Sequence, residues 1–282
     1  MNNKNKTFLS MDRLAVVNIL FQFYSFDYFL DSVAKIGFRK IDLWTGYPHL
    51  LLDDDYERRC EEVRKKCDAL NLVVDNVMPK VIGWPLNIAD EEEKIRNAAV
   101  SYLKRAIDAA DILGADSLQL VPGTGLYDQP IEPAWARARD SLRQVCEYAE
   151  MRSKSLGLEA IQIVESNLVG NKDTLFRMIE EVDSPVLGAV VDTTHMDKNG
   201  ESLIDYFTLL GNRIQRIHLN DTDQLPWGEG NAPLHMYIKQ MSDVDYSGKI
   251  SLEICSKQHY LKPYDALHQS WNYLYNNCEK PF

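Results

Sequence analysis

Residues 186–191 (VLGAVV), closed by Asp192 and followed by TTHM, carry the pattern that decides the fold. A short apolar, β-branched run that stops at a single acid reads as a strand buried on both faces, with its C-terminal end opening onto polar space. Seven further runs share this character: 16–21 (VVNILF), 40–44 (KIDLW), 72–77 (LVVDNV), 117–121 (SLQLV), 160–164 (AIQIV), 214–219 (IQRIHL) and 250–254 (ISLEI). Longer segments of helical period separate them. Residues 26–36 run into Gly37 and residues 98–113 into Gly114, glycine being a frequent helix terminator. The acidic runs 53–55 and 91–93 suit the first turns of helices, where they complement the helix dipole. Eight strand–helix units without a Ser/Gly-rich linker predict one parallel sheet over residues 1–282. Closure into a single (β/α)₈ TIM barrel uses all eight strands and leaves no edge. An open doubly wound sheet is the alternative, but no G-x-G-x-x-G fingerprint follows the first strand.

Composition narrows the function. The 282 residues include 31 Lys plus Arg and 42 Asp plus Glu, a net charge of −11, so nucleic acid and anionic membranes are poor partners. With 45% hydrophobic and 26% charged residues the chain is of ordinary globular type. Five Cys without a C-x-x-C spacing suit a reducing, cytoplasmic setting, and Cys60 and Cys67 read as small apolar residues on one helix face. The opening MNNKNKTFLSMDRL lacks the apolar stretch of a signal peptide.

In a parallel barrel the C-terminal ends of all strands open on one face, so polar residues there converge whatever their separation in sequence. Four such residues stand out on consecutive strands: Glu165 after AIQIV, Asp192 after VLGAVV, His218 within RIHLND and Glu253 within SLEI. Three carboxylates and one imidazole in one place repel unless a cation joins them. An oxygen-rich set with a single nitrogen suits Mn²⁺ first, with Co²⁺, Mg²⁺ or Zn²⁺ as alternatives. Trp44, Trp84 and Trp227 in strand-end loops are candidate substrate walls, since aromatic faces pack on C–H surfaces and on aryl groups alike, and His49 is a candidate substrate contact in the second loop.

VDTTHM at 191–196, IHLND at 217–221, PWGEG at 226–230 and YSGKISLE at 246–253 resemble the xylose-isomerase-like (β/α)₈ barrels, in particular the ketose 3-epimerases and the fructoselysine 3-epimerase group. KIDLWTGYPH at 40–49 and GWPLN at 83–87 are weaker matches, and the resemblance covers nearly the whole chain. It implies that Glu165, Asp192, His218 and Glu253 hold one divalent metal, that Glu165 and Glu253 are an acid–base pair for inverting a carbon beside a carbonyl, and that His195 lies near the substrate. It also implies a small carbohydrate substrate and a homo-oligomer. Two departures stand against it. The ketose 3-epimerases carry an Arg six residues after the metal His and an acid six after the first metal Glu, and these positions hold Gln224, a candidate substrate contact, and Asn171. The register at ESN (165–167) is open: if Glu165 matches a second, downstream Glu, the ligand position falls near Gln162 or Ile163.

The resemblance leaves a second enzyme class open, the large subunit of a C-glycoside deglycosidase acting on a 3-keto C-glycoside, which requires a small partner subunit. A metal-free sugar-binding barrel is the non-enzymatic alternative. Endonuclease action at abasic DNA sites fits poorly with six His and a charge of −11.

Overall fold

The computed structural model describes residue 9, residues 11–79, residue 81 and residues 85–277. Its strands are β1 (Leu14–Val17), β2 (Lys40–Thr45), β3 (Val73–Pro79), β4 (Ser117–Leu120), β5 (Ser155–Glu159), β6 (Leu187–Asp192), β7 (Ile214–His218) and β8 (Lys249–Leu252). All pair in parallel in chain order, and β1 returns to β8 with Val16 opposite Leu252, which closes the barrel. Helices alternate with them: α1 (Phe26–Ile36), α2 (Tyr56–Ala69), α3 (Glu93–Leu113), α4 (Ile131–Met151), α5 (Lys172–Val182), the pair α6 (Thr193–Lys198) and α7 (Leu203–Leu210), α8 (Leu234–Asp243) and α9 (Pro263–Asn277).

The helix punctuation follows local chemistry. Ser25 caps α1 by accepting from the Tyr28 amide, and Gly37 ends it at φ 119°, a backbone region where a β-carbon is costly. Gly114 ends α3 in the same left-handed way. Asp55 and Glu92 occupy the N-cap positions of α2 and α3, so the two acidic runs lie at helix starts as their composition suggests. Cys60 and Cys67 are buried on α2.

Two strands differ from the expected positions. β1 stops at Val17, and Asn18–Phe21 winds into a 3₁₀ turn. The fifth strand is SLGLE at Ser155–Glu159; the β-branched stretch 160–164 that follows is a loop over the barrel mouth, where Ile163 and Val164 are exposed. Apolar alternation cannot separate such a loop from a strand, because both carry β-branched residues. The pairing can: Leu118 lies opposite Leu156 and Leu120 opposite Leu158, so SLQL and SLGL are neighbouring copies of one pattern.

Towards the N-terminal ends of the strands the barrel interior is polar. The buried Arg216 on β7 donates to both carboxylate oxygens of Asp42 on β2 (3.1 and 3.0 Å), to Ser251 Oγ (2.9 Å) and to Asp75 Oδ2 on β3 (2.7 Å). Lys40 and Lys249 reach Asp75 Oδ1 at 3.0 and 2.9 Å. Burial alone raises the Asp75 pKa, yet the charge and hydrogen bonds of Arg216, with those of Lys249 and Lys40, hold it well below the usual carboxylate range. Asp42 is wholly enclosed, and there burial outweighs Arg216 and pushes the carboxyl up. The Arg216→Ala substitution leaves two buried carboxylates without their shared cation and is expected to cost about 3–5 kcal/mol in urea unfolding. Because the folded Asp75 pKa lies below its unfolded value of about 4, its contribution is complete above that pH and fades as pH falls below it. Asp75→Asn should therefore lower stability at neutral pH and lessen its further decline in acid, measured by urea titrations from pH 7 to 3.

Candidate metal and active site

Glu159, Asp192, His218 and Glu253 stand at the C-terminal ends of β5, β6, β7 and β8, and each is at most 8% exposed. Each offers one ligand atom, and the four atoms lie within 4.8 Å of one another. His218 Nδ1 is 3.1 Å from Glu253 Oε2, 3.5 Å from Glu159 Oε1 and 3.9 Å from Asp192 Oδ2. The fifth-strand acid is thus Glu159. Glu165, where that ligand was expected, lies six residues on in the turn that its amide closes onto the Gln162 carbonyl, and it lines the cavity above the cluster together with Gln162.

Neighbouring amides orient the carboxylates. Gln119 on β4 donates to Glu159 Oε2 (2.8 Å). Asn220 donates to Asp192 Oδ2 (2.9 Å) and accepts from the Glu253 amide, joining the ends of β6 and β8 through the strand between them. Asp192 Oδ1 accepts from the backbone of Thr194 (2.6 Å) and His195 (3.2 Å) as the cap of α6, which leaves Oδ2 to the cluster. Among the described residues Glu159 Oε1 is buried without a hydrogen-bond partner, a costly arrangement for a carboxylate facing two others. That orphaned oxygen, the single imidazole nitrogen turned to the same point and the three-carboxylate donor set fit a divalent cation bound mainly through oxygen.

The electrostatics agree with a cation site. Burial first, with the charges of Glu253 and Asp192 adding to it, pushes the Glu159 carboxyl up to about 8. Burial pulls His218 down, but Glu253, Glu159 and Asp192 outweigh it and raise the imidazole to about 9. Glu159 and His218 by themselves therefore hold protons at neutral pH, and a cation bound there must displace them.

A cavity of about 380 Å³ opens above the cluster, of a size for a small molecule. Trp44, Glu165, His195 and Gln224 line it, as does Cys255, a free thiol. His195 donates from Nδ1 to the Ala160 carbonyl (3.2 Å); burial lowers its pKa, but Asp192 and Glu159 carry it above the ordinary value. A β-carbon on Gly46 would stand 2.0 Å from the Trp44 ring, so the close approach of that backbone sets the indole's place.

The other expected substrate contacts fall elsewhere. His49 is buried; its Nδ1 accepts from Asn18 (2.7 Å), its Nε2 donates to the Tyr24 carbonyl (3.0 Å), and Phe26 and Phe29 pack on its ring. It ties the first two strand-end loops together, and burial keeps it below the usual histidine pKa. Trp227 is 1% exposed, with its indole N–H on the Leu219 carbonyl, and belongs to the core. Trp84 lies outside the described residues.

Titration of metal-depleted protein with Mn²⁺ should show one site that releases protons at pH 7 and weakens as pH falls. Glu159→Gln is expected to weaken binding by more than about a hundredfold, beyond the usual loss of an outer hydrogen-bond partner. Glu165→Gln should leave the affinity near that of the unaltered protein.

The chain matches the family described as Xylose isomerase-like TIM barrel over residues 30–276. It is 27% identical to fructoselysine 3-epimerase of Shigella flexneri over 229 residues, covering 79% of this chain and 83% of that protein. Its fold is that of L-ribulose 3-epimerase (TM-score 0.81, 18% identity, 94% of this chain and 93% of the other). It is also that of 3-keto-D-glucoside 4-epimerase from E. coli (TM-score 0.77, 18% identity, 94% and 99%). With a closed eightfold barrel and a match that spans most of its length, the chain belongs to the xylose isomerase-like TIM barrel family.

Proposed function

We propose that the protein is an isomerase that epimerises a ketose or ketose conjugate beside its carbonyl, with one divalent metal, Mn²⁺ in first place, held by Glu159, Asp192, His218 and Glu253. The observation that carries this is the placing of two carboxylates, Glu159 and Glu253, on opposite flanks of His218 at the floor of one cavity. The sugar-epimerase relatives support it.

Epimerisation at such a carbon takes a proton from one face and returns one to the other, so two groups must flank it. Glu159 and Glu253 come from strands β5 and β8, separated by β6 and β7, and both reach the cavity. Gln119 steadies the buried Glu159 carboxyl by donating to Oε2, which fixes the direction from which it would take and return a proton. A bound divalent cation supplies Lewis-acid stabilisation of the negative charge that develops on the substrate oxygens. His195, Glu165 and Gln224 offer polar contacts to the hydroxyls, and Trp44 an apolar face to the sugar's C–H surface. With Glu159 in the first position, the acid expected six residues later is Glu165, which removes one of the two departures from the ketose 3-epimerase pattern. Asn171 instead caps α5 by accepting from the Thr174 amide.

A second substrate class, a 3-keto-glycoside with an apolar aglycone, draws support from the exposed mouth. Phe23, Tyr47, Val164 and Leu261 are 70–85% exposed there, a surface that a free hexose would not use.

Turnover of free ketoses, fructoselysine and 3-keto-glycosides in D₂O with Mn²⁺ tests the proposal by NMR. Deuterium should enter at the inverted carbon. Glu159→Gln and Glu253→Gln should each lower kcat by about 10²–10⁴-fold. Normal turnover in either variant, or inversion without deuterium uptake, contradicts the paired-carboxylate mechanism.

A further inference from the structure

Gln224 is held in an uncommon backbone. It ends the 3₁₀ turn Thr222–Gln224 after β7, and both Asp223 and Gln224 have φ of 54°, a left-handed conformation that side chains other than glycine rarely take. Two consecutive residues of this kind persist only where their surroundings over-determine them, and such places cluster at functional sites. The surroundings here do so. The Gln224 amide donates to the Asp221 carbonyl (3.0 Å), and its own carbonyl accepts from the Cys255 amide just after β8 (3.2 Å). Asp223 pairs with Lys198 of α6 at 2.9 Å. Asp221 in turn accepts from the backbone of Gly228, Gly230 and Ala232, fixing the loop beyond the turn.

What this backbone delivers is one carboxamide nitrogen between two carboxylates. Gln224 Nε2 donates to Asp192 Oδ2 at 3.2 Å and to Glu253 Oε2 at 3.0 Å. These are the same two oxygens that face His218 Nδ1. An –NH₂ group carries two protons, one for each acceptor, so a single side chain orients two acids that start from different strands. An aliphatic side chain of equal length has no proton to give.

We propose that Gln224 is a positioning residue of the metal site: its carboxamide clamps Asp192 and Glu253 into one ligand set from a left-handed turn built for that reach. This rests on the reading of the four-residue cluster as a cation site, and goes beyond it by giving Gln224 a role before any substrate binds.

The test is Mn²⁺ affinity of metal-depleted protein, by calorimetry and by the electron paramagnetic resonance of the free ion, for the unaltered chain, Gln224→Met and Gln224→Ala. Gln224→Met keeps the volume and removes the donor, and circular dichroism confirms that it is folded. Both substitutions should weaken Mn²⁺ binding about 10- to 100-fold without substrate present. Unchanged affinity in folded Gln224→Met, with only KM raised, overturns the proposal and leaves Gln224 as a substrate contact alone. Tighter binding overturns it too, showing that the carboxamide competes with the ion. Absence of Mn²⁺ binding in the unaltered protein overturns the underlying metal site instead.

Discussion

Three buried carboxylates converge on one imidazole nitrogen, and the organisation of the site follows from the need to make that tolerable. Glu159, Asp192 and Glu253 cannot remain charged together in a water-poor floor without a counter-charge, and His218 supplies at most one. The protein's own partial remedies are visible: Gln119, Asn220 and Gln224 each turn an amide N–H₂ towards the acids, and the α6 backbone takes the other oxygen of Asp192. None of these groups carries a full positive charge. A divalent cation would complete the balance and join the ends of four consecutive strands.

The barrel holds the acids in register at the other end by the opposite device. Arg216 lies two residues before His218 on the same strand and binds Asp42 and Asp75 across the barrel, with Lys40 and Lys249 beside them. β7 therefore carries a permanent cation towards its beginning and an imidazole facing the three acids at its end. Ile217, between them in sequence, turns to the opposite face of the strand and is fully buried there.

Much of this was legible in the sequence because parallel strands buried on both faces write continuous apolar runs. Asp192 stood out because it closes such a run, and His218 and Glu253 because they are polar residues near the ends of theirs; all three lie in the cluster at the barrel mouth. Glu159 was missed because the more β-branched AIQIV outshone SLGLE, although SLGLE shares its pattern with SLQL on the neighbouring strand. The misplaced strand moved the candidate ligand six residues and set the next expected acid at Asn171 instead of Glu165. Trp44 and His195 line the cavity, whereas His49 and Trp227 do not, for a different reason. His49 and Trp227 do sit in strand-end loops, but a loop residue packs inward or faces the cavity according to tertiary contacts that sequence spacing does not encode. Gln224 shows the converse, since nothing in its neighbours in sequence announces the paired left-handed backbone that aims it at two acids.

Crystals grown with Mn²⁺ and measured on both sides of the manganese absorption edge test the central claim most directly. One anomalous peak is expected, bonded to His218 Nδ1 and to oxygens of Glu159, Asp192 and Glu253, with Glu165 outside the coordination shell. A barrel mouth without a peak, or an ion ligated by Glu165 in place of Glu159, would contradict it.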